Sequence, residues 1–218
     1  MIAAPTRVAR FEDVSVVVAT RYDRLPGSPW LRRLHQEDLC QALGRAPDDK
    51  YENEGGPTTK DIARLLRSAL PADATSDGVW RLFDAVTFNW LIAGTDAHAK
   101  NYSLLLSGRQ VALAPLYDVA SALPYPSMSL RKLRMAMKYG RDYTLLARTS
   151  TLWPKVAAEF SLPVDEVRAR ADDLMAVVPD ASAEAAASSE VTELGSELPG
   201  RLVDLVRARV AQCRQSLD

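Results

Sequence analysis

"FNWLIAGTDAHAKNYSLLL", residues 88–106, sets Asp96, His98, Lys100 and Asn101 between two apolar runs. Upstream, Val79, Leu82, Phe83, Val86, Trp90 and Leu91 recur at helical spacing, and Phe88 and Ile92 widen the stripe until it is nearly all round. A helix of that kind belongs at the centre of a core, so a central helix is expected over about 78–93. Downstream, "YSLLLS" and "QVALAPLYD" read as short strands joined through Ser107, Gly108 and Arg109, a hairpin. A hairpin brings its ends together, and here those ends are Asn101 and Asp118.

Asp96 and Asn101 have the D-x-x-x-x-N spacing of the catalytic loop of protein-kinase-type phosphotransferases. In that loop the Asp accepts the proton of the substrate hydroxyl and the Asn holds magnesium. A second carboxylate must share the ion, because magnesium takes hard oxygen ligands at about 2.1 Å in a near-octahedral set; Asp118 is the candidate. Blander readings stand beside this one. Asp96 can cap a turn after Gly94, His98 can be a hydrogen-bonded structural histidine, and Asp118 can be an ordinary turn residue. Zinc fits less well, since His35 and His98 are the only histidines and no H-x-H or HExxH spacing occurs. No G-x-S-x-G marks a serine nucleophile, and Cys40 falls in an expected amphipathic helix.

The 218 residues, 47% hydrophobic, suffice for a sizeable core, and 27 basic against 28 acidic residues give a net charge of −1. Such a balance creates no field that would draw DNA, RNA or an anionic membrane. Two distant cysteines, Cys40 and Cys213, indicate neither a disulfide framework nor a zinc site, and reduced cytosol is the expected compartment. No apolar run approaches the roughly 20 residues that span a bilayer, and "MIAAPTRVARFEDV" lacks a signal peptide's apolar region. "DVSVVVATRYDR", residues 13–24, reads as a buried strand running into a polar turn; "RRLHQEDLCQALG" as a short helix closed by Gly44; "TTKDIARLLRSAL" as a helix capped by Thr58, with Asp61 three residues on, that stops before Pro71. Helices are expected over 143–160, 163–178 and 199–217, with a loop or weakly packed helix near 180–198.

"RLHQEDLCQALG", "KYENEGGP", "FNWLIAGTDAHAKNYSLLL" and "LAPLYDVASALPYP" together resemble, in order and spacing, the C-terminal kinase lobe of HipA-like serine/threonine kinases, the toxins of bacterial toxin–antitoxin pairs. The resemblance runs from about residue 13 to at least 140. It implies a mainly α fold with a small β-hairpin, the α+β C-terminal lobe of a protein kinase without its N-lobe. Residues 1–24 would be a residual strand and hinge, and 25–218 the lobe. Asp96 would be the catalytic base, Asn101 and Asp118 the magnesium ligands, and His98 and Lys100 would line the phosphate side. Thr20, Arg21 and Tyr22 would meet the adenine with Asp23 near the ribose, while Gln36 and Tyr117 would complete the nucleotide pocket. The family implies ATP and Mg2+ as cofactors, a serine of an aminoacyl-tRNA synthetase as substrate, and a DNA-binding antitoxin as partner.

The match is incomplete in one respect. A kinase covers the phosphates with a Gly-rich loop and a lysine on strand three, yet the first glycine here is Gly27 and the first lysine Lys50, both beyond the hinge. The expectation is therefore a lobe that is truncated, has a misassigned start or is completed by a separate N-lobe polypeptide. The alternative is a binding module that holds an antitoxin or substrate without catalysis. An isolated lobe is also expected to self-associate through its uncovered face.

Overall fold

The fold was obtained as a computed structural model describing residues 1–27, 30–145 and 151–215. Among the described residues nine short strands, β1 (Thr6–Phe11), β2 (Val14–Ala19), β3 (Arg24–Leu25), β4 (Arg32–Arg33), β5 (His35–Asp38), β6 (Ser103–Ser107), β7 (Gln110–Leu113), β8 (Arg134–Tyr139) and β9 (Asp142–Thr144), form small antiparallel sheets. The helices are α1 (Leu39–Ala42), α2 (Thr59–Ala69), α3 (Ala72–Leu91), α4 (Leu152–Phe160), α5 (Val164–Ala186), α6 (Ser189–Thr192) and α7 (Leu198–Gln215). This is the α-rich lobe expected from the sequence, with four small sheets among the described residues where one hairpin was foreseen. No helix among the described residues is long and apolar enough to cross a membrane.

α3 is the axis, packed against α2, α5, α7, β7 and β8. Val79, Leu82, Phe83 and Trp90 are buried as their spacing requires, and the polar residues Asp84, Thr87 and Asn89 are buried too. Each of these finds a partner, as most buried polar groups do. Asp84 accepts both arms of the Arg170 fork, at 2.8 and 2.7 Å, which ties α3 to α5. Thr87 and Tyr139 share a hydrogen bond at 3.0 Å. Phe83 meets Trp80 and Phe160 edge-on, at 5.5 and 5.4 Å, joining α3 to α4.

α2 forms as its capping signal predicts: the Thr58 hydroxyl accepts from Asp61 N–H at 3.0 Å and Asp61 accepts from Thr58 N–H at 3.2 Å. The β6–β7 hairpin forms with Gly108 at φ 61 in its turn. Other expectations need correction. The strand at Val14–Ala19 is not buried: it pairs with the unforeseen β1, and Val14 and Val17 are 62% and 75% exposed. "HQED" is a strand, since β5 pairs with β6 across 67 residues, a non-local bond that local pattern does not report. The start of the helix expected over 143–160 is instead the end of β9; its residues 146–150 lie outside the described residues, and α4 begins at Leu152. α5 continues through Pro179 to Ala186, so the first part of the stretch expected as a loop or weakly packed helix is helix, and the helix expected over 163–178 is longer than its pattern suggests. Its run of alanines has the highest helix propensity of any residue type. The last residues expected in the terminal helix, 216 and 217, also lie outside the described residues. Cys40 and Cys213 are buried and free. Trp30, unlike buried Trp90 and Trp153, is 81% exposed.

The β8–β9 turn carries a pH-sensitive clip. Glu159 of α4 accepts from the N–H groups of Arg141 (2.8 Å) and Gly140 (3.3 Å). Burial outweighs those bonds and lifts its carboxyl to about 7, with Glu52 adding repulsion. A carboxyl that holds its proton in the fold but releases it near 4.5 when unfolded stabilises the fold fully below that value. The stability is lost as pH rises through about 7. His98 has the opposite slope, because burial and the Lys50 charge depress its pKa below the ordinary value. The test is therefore a difference: between pH 5 and 8 the melting temperature of wild type should fall relative to Glu159→Gln. Parallel curves would refute the assignment.

Candidate active site

Both ends of the polar loop are fixed to α3. The helix stops at Leu91, and Ala93 takes a left-handed backbone, φ 54, that turns the chain away. Gly94 N–H donates to the Asn89 carbonyl at 2.7 Å, and a Cβ at Gly94 would lie 2.3 Å from the Asn89 side-chain oxygen, so only glycine fits. Asn89 is held in turn, donating to the Ala85 carbonyl at 3.0 Å and the Tyr102 hydroxyl at 3.2 Å. From the other direction the Ser121 hydroxyl donates to the Ile92 carbonyl at 2.7 Å, and Ala122 N–H to the Ala93 carbonyl at 3.0 Å. The chain that follows Asp118 thus returns to the helix end from which Asp96 departs.

Inside the loop, His98 N–H donates to the Asp96 carbonyl at 2.8 Å and Asn101 N–H to the His98 carbonyl at 2.9 Å, leading into a 3-10 turn over Ala99–Asn101. The β6–β7 hairpin does what its geometry demands. The buried Asn101 amide donates to Asp118 Oδ2 at 3.0 Å and to the Asp118 carbonyl at 3.3 Å, with Asp118 left-handed at φ 55. The Asn101 Oδ1 is buried and has no hydrogen-bond partner. A buried, unpartnered oxygen next to a carboxylate suits a hard cation, and magnesium commonly takes only one or two protein ligands, the rest coming from phosphate and water. Among the described residues no group of three or more His, Cys, Asp or Glu is placed to hold a metal. The residues present therefore fit an ion brought with a nucleotide.

Asp96 is exposed, and its Oδ1 accepts from the Tyr51 hydroxyl at 2.6 Å. That bond pushes the Tyr51 phenol up to about 12. The Tyr51 ring meets His98 edge-on at 5.2 Å, and the Lys50 ammonium lies 5.1 Å from the ring centre. His98 is buried with Nδ1 unpartnered, and Lys100 is half-buried. Tyr51 was not among the expected site residues. Its signal in the sequence is "KYENEGGP", whose glycine pair marks a turn without saying where the tyrosine points.

The residues expected at a hinge form a second group. Tyr22 bonds to Gln36, Gln36 Nε2 donates to Ser103 Oγ at 3.0 Å, Ser103 and Tyr117 share a bond at 2.5 Å, and the Tyr117 hydroxyl donates to the Lys100 carbonyl at 2.6 Å. A chain of hydrogen bonds therefore runs from Gln36 through Ser103 and Tyr117 to the Lys100 carbonyl, with the Tyr22 and Tyr117 rings 6.2 Å apart. Thr20 N–H donates to the Pro5 carbonyl at 2.8 Å. Asp23 is buried and accepts both arms of Arg21, at 2.8 and 2.6 Å, and an arm of Arg24. The Arg21 bond chiefly holds the Asp23 carboxyl at about 2. The carboxylate expected near a ribose is thus engaged by two arginines, while Asn101 and Asp118 meet where the hairpin closes.

A family model of the HipA-like C-terminal domain matches residues 1–182. The chain belongs to the HipA-like C-terminal domain family. HipA-like relatives include a Sinorhizobium fredii protein named "Putative kinase Y4mE", 41% identical over 172 residues, covering 78% of this chain and 39% of the relative. Another is the serine/threonine-protein kinase toxin HipA of Shewanella oneidensis, 32% identical over 152 residues, covering 63% of this chain and 34% of that protein. Among solved structures, Shewanella oneidensis HipA, in a complex with HipB and operator DNA, superposes with a TM-score of 0.82 at 20% identity, over 97% of this chain and 52% of that one. The Helicobacter pylori kinase CtkA gives 0.51 at 13% identity, over 98% and 78% of the two chains. The HipA-like chain spans between a third and two-fifths of the length of these two curated relatives.

Proposed function

We propose that this HipA-like chain is the phosphoryl-transfer lobe of an ATP- and magnesium-dependent serine/threonine protein kinase. The observation that carries the reading is the closure of Asn101 onto Asp118, with Asp96 leaving from the same helix end. Asp118 and the Asn101 oxygen would hold the magnesium, which supplies charge neutralisation on the phosphates when bound. Asp96 would take the proton of the substrate hydroxyl as its oxygen bonds to the γ-phosphorus and the bond to the ADP oxygen breaks. Lys100 and His98 flank the phosphates in this reading, and Thr20, Arg21, Tyr22, Asp23, Gln36 and Tyr117 form the base side. Residues 1–24 act as strand and hinge and 25–218 as the lobe. A serine of an aminoacyl-tRNA synthetase is the proposed substrate class by family. An antitoxin is the proposed partner, supported by the HipB in the Shewanella HipA complex.

The test is phosphate transfer from radiolabelled ATP, by this chain alone and together with an N-lobe polypeptide. Magnesium-dependent ATP binding that Asp118→Ala abolishes, with transfer in at least one setting, is the expected result. No transfer and no detectable ATP binding in either setting would sink the reading. A second reading, a binding module for antitoxin or substrate, is favoured by the β1–β2 ribbon. Phe11 and Val14 face each other across it, 61% and 62% exposed, and a two-stranded ribbon is marginal alone. A protein carrying that surface should self-associate with rising concentration, and Phe11→Arg with Val14→Arg should make it monomeric. A monomer at every concentration would show that the ribbon needs no cover.

A further inference from the structure

Tyr51 reaches Asp96 from 45 positions away, and the loop that delivers it is built for placement. Gly55 is left-handed at φ 97, and Gly56 N–H donates to the Tyr51 carbonyl at 2.9 Å. A Cβ on Gly56 would stand 2.6 Å from the Asp49 carbonyl oxygen and 2.7 Å from that of Tyr51, both backbone atoms that cannot swing aside. The neighbours of Tyr51 are anchored as well. The Lys50 carbonyl accepts from Ala99 N–H, in the catalytic loop itself, at 3.3 Å. The Glu52 carboxylate accepts from Lys138 N–H at 2.7 Å and pairs with the Lys138 ammonium at 3.4 Å. The ring packs edge-on against His98 at 5.2 Å. A phenol held by its backbone, its flanks and its ring thus presents one hydroxyl to one carboxylate oxygen.

A carboxylate on an exposed loop turns freely about χ2, whose wells are broad. A base that must meet a hydroxyl at hydrogen-bond distance loses rate with every orientation that misses. Phosphoryl transfer asks more of positioning than of base strength, because its transition state is loose. A neutral donor that fixes the carboxylate plane is therefore favourable even if it makes the base weaker. We propose that Tyr51 is a positioning residue for this reaction: by donating to Oδ1 of Asp96 it fixes the carboxylate and leaves Oδ2 to accept the proton of the incoming hydroxyl. This rests on the reading of Asp96 as the base.

The test uses the full chain, with an N-lobe polypeptide if transfer requires one. Tyr51→Phe keeps the ring against His98 and removes only the hydroxyl. It is expected to lower kcat by about tenfold or more while the KM for ATP stays within about twofold, the pattern of a lost transition-state contact. The melting temperature should not move. An independent measurement needs no activity: in ring NMR of wild type the Tyr51 phenol should stay largely protonated through pH 11, and in Asp96→Ala it should titrate lower, with only burial and Glu54 left to raise it. An unchanged kcat in Tyr51→Phe, or a phenol that titrates alike with and without Asp96, overturns the proposal. Absence of transfer in every form overturns it together with the reading beneath it. The NMR separates those two failures, since a shifted phenol in an inert chain sinks the base and not the contact.

Discussion

Asp96→Asn is expected to slow phosphoryl transfer by about a hundred- to ten-thousandfold, the usual worth of a positioned general base, while leaving ATP binding intact. The substitution keeps the shape of the side chain, and its amide oxygen can still accept from Tyr51, so the 2.6 Å tie and the loop that carries it survive. The backbone bonds that define the loop, from His98 N–H to the Asp96 carbonyl and from Asn101 N–H to the His98 carbonyl, are indifferent to the exchange. What disappears is the carboxylate that would take the proton. Single-turnover transfer in the presence of saturating magnesium-ATP reads the step directly. A variant that keeps more than a tenth of the wild-type rate would remove Asp96 from the role of base and return it to that of a turn residue.

Trp90→Ala should be the most damaging core substitution, costing about 3–5 kcal/mol in transfer and cavity terms. Trp90 is 1% exposed, stacks on Tyr139 at 4.8 Å with 21° between planes, and has the Arg209 guanidinium 5.2 Å from its ring centre on the way to α7. Removing the indole strips a buried cation of its aromatic face; Arg209 is left with the carbonyls of Trp90 and Leu145. One contribution runs the other way. The Trp90 indole N–H is buried without a partner, and such a donor costs about 1–3 kcal/mol. The cavity wins, because it loses both the ring's area and its stacking, but the orphan donor predicts a contrast: Trp90→Phe, which keeps a ring and discards the donor, should cost far less. For a chain of this size a loss of about 3 kcal/mol lowers the melting temperature by about 6–12 °C. A shift below about 3 °C in Trp90→Ala would show that α3 is not the axis of the fold.

The parts of the molecule legible in the sequence are those whose cause is local. α2 announces itself through Thr58 and Asp61, the hairpin through Gly108, and the catalytic loop through side chains whose chemistry and spacing belong together. The family resemblance drew on the same residues. The parts that were not legible are made by partners far along the chain. β5 is a strand because His35–Asp38 lie beside Leu106–Ser103, although the tetrapeptide alone has no strand character. β8 forms where Met135 and Met137 bury against the core and Gly140 turns the chain, its Cβ position already taken by Leu152. The small acidic residues after Pro179 leave loop and weakly packed helix open, and the packing of α5 on α7 decides for helix as far as Ala186. Within the candidate site, the approach of Asn101 to Asp118 was expected from the hairpin alone. The contact of Tyr51 was not, because nothing in "KYENEGGP" says that its phenol ends on Asp96, and neither were the two arginines that occupy Asp23.

Ile2 and Ala4 clasp Leu116 from both sides, with Leu116 N–H donating to the Ile2 carbonyl at 2.9 Å and Ala4 N–H donating to the Leu116 carbonyl at 2.8 Å. Leu116 is two residues from Asp118. The amino-terminal segment is therefore mechanically in series with the turn that carries Asp118, the proposed magnesium ligand. An affinity tag or fusion placed ahead of Met1 would pull on that clasp, and any change it caused in nucleotide binding could be mistaken for a property of the lobe. The far end, after α7, is the place to attach one.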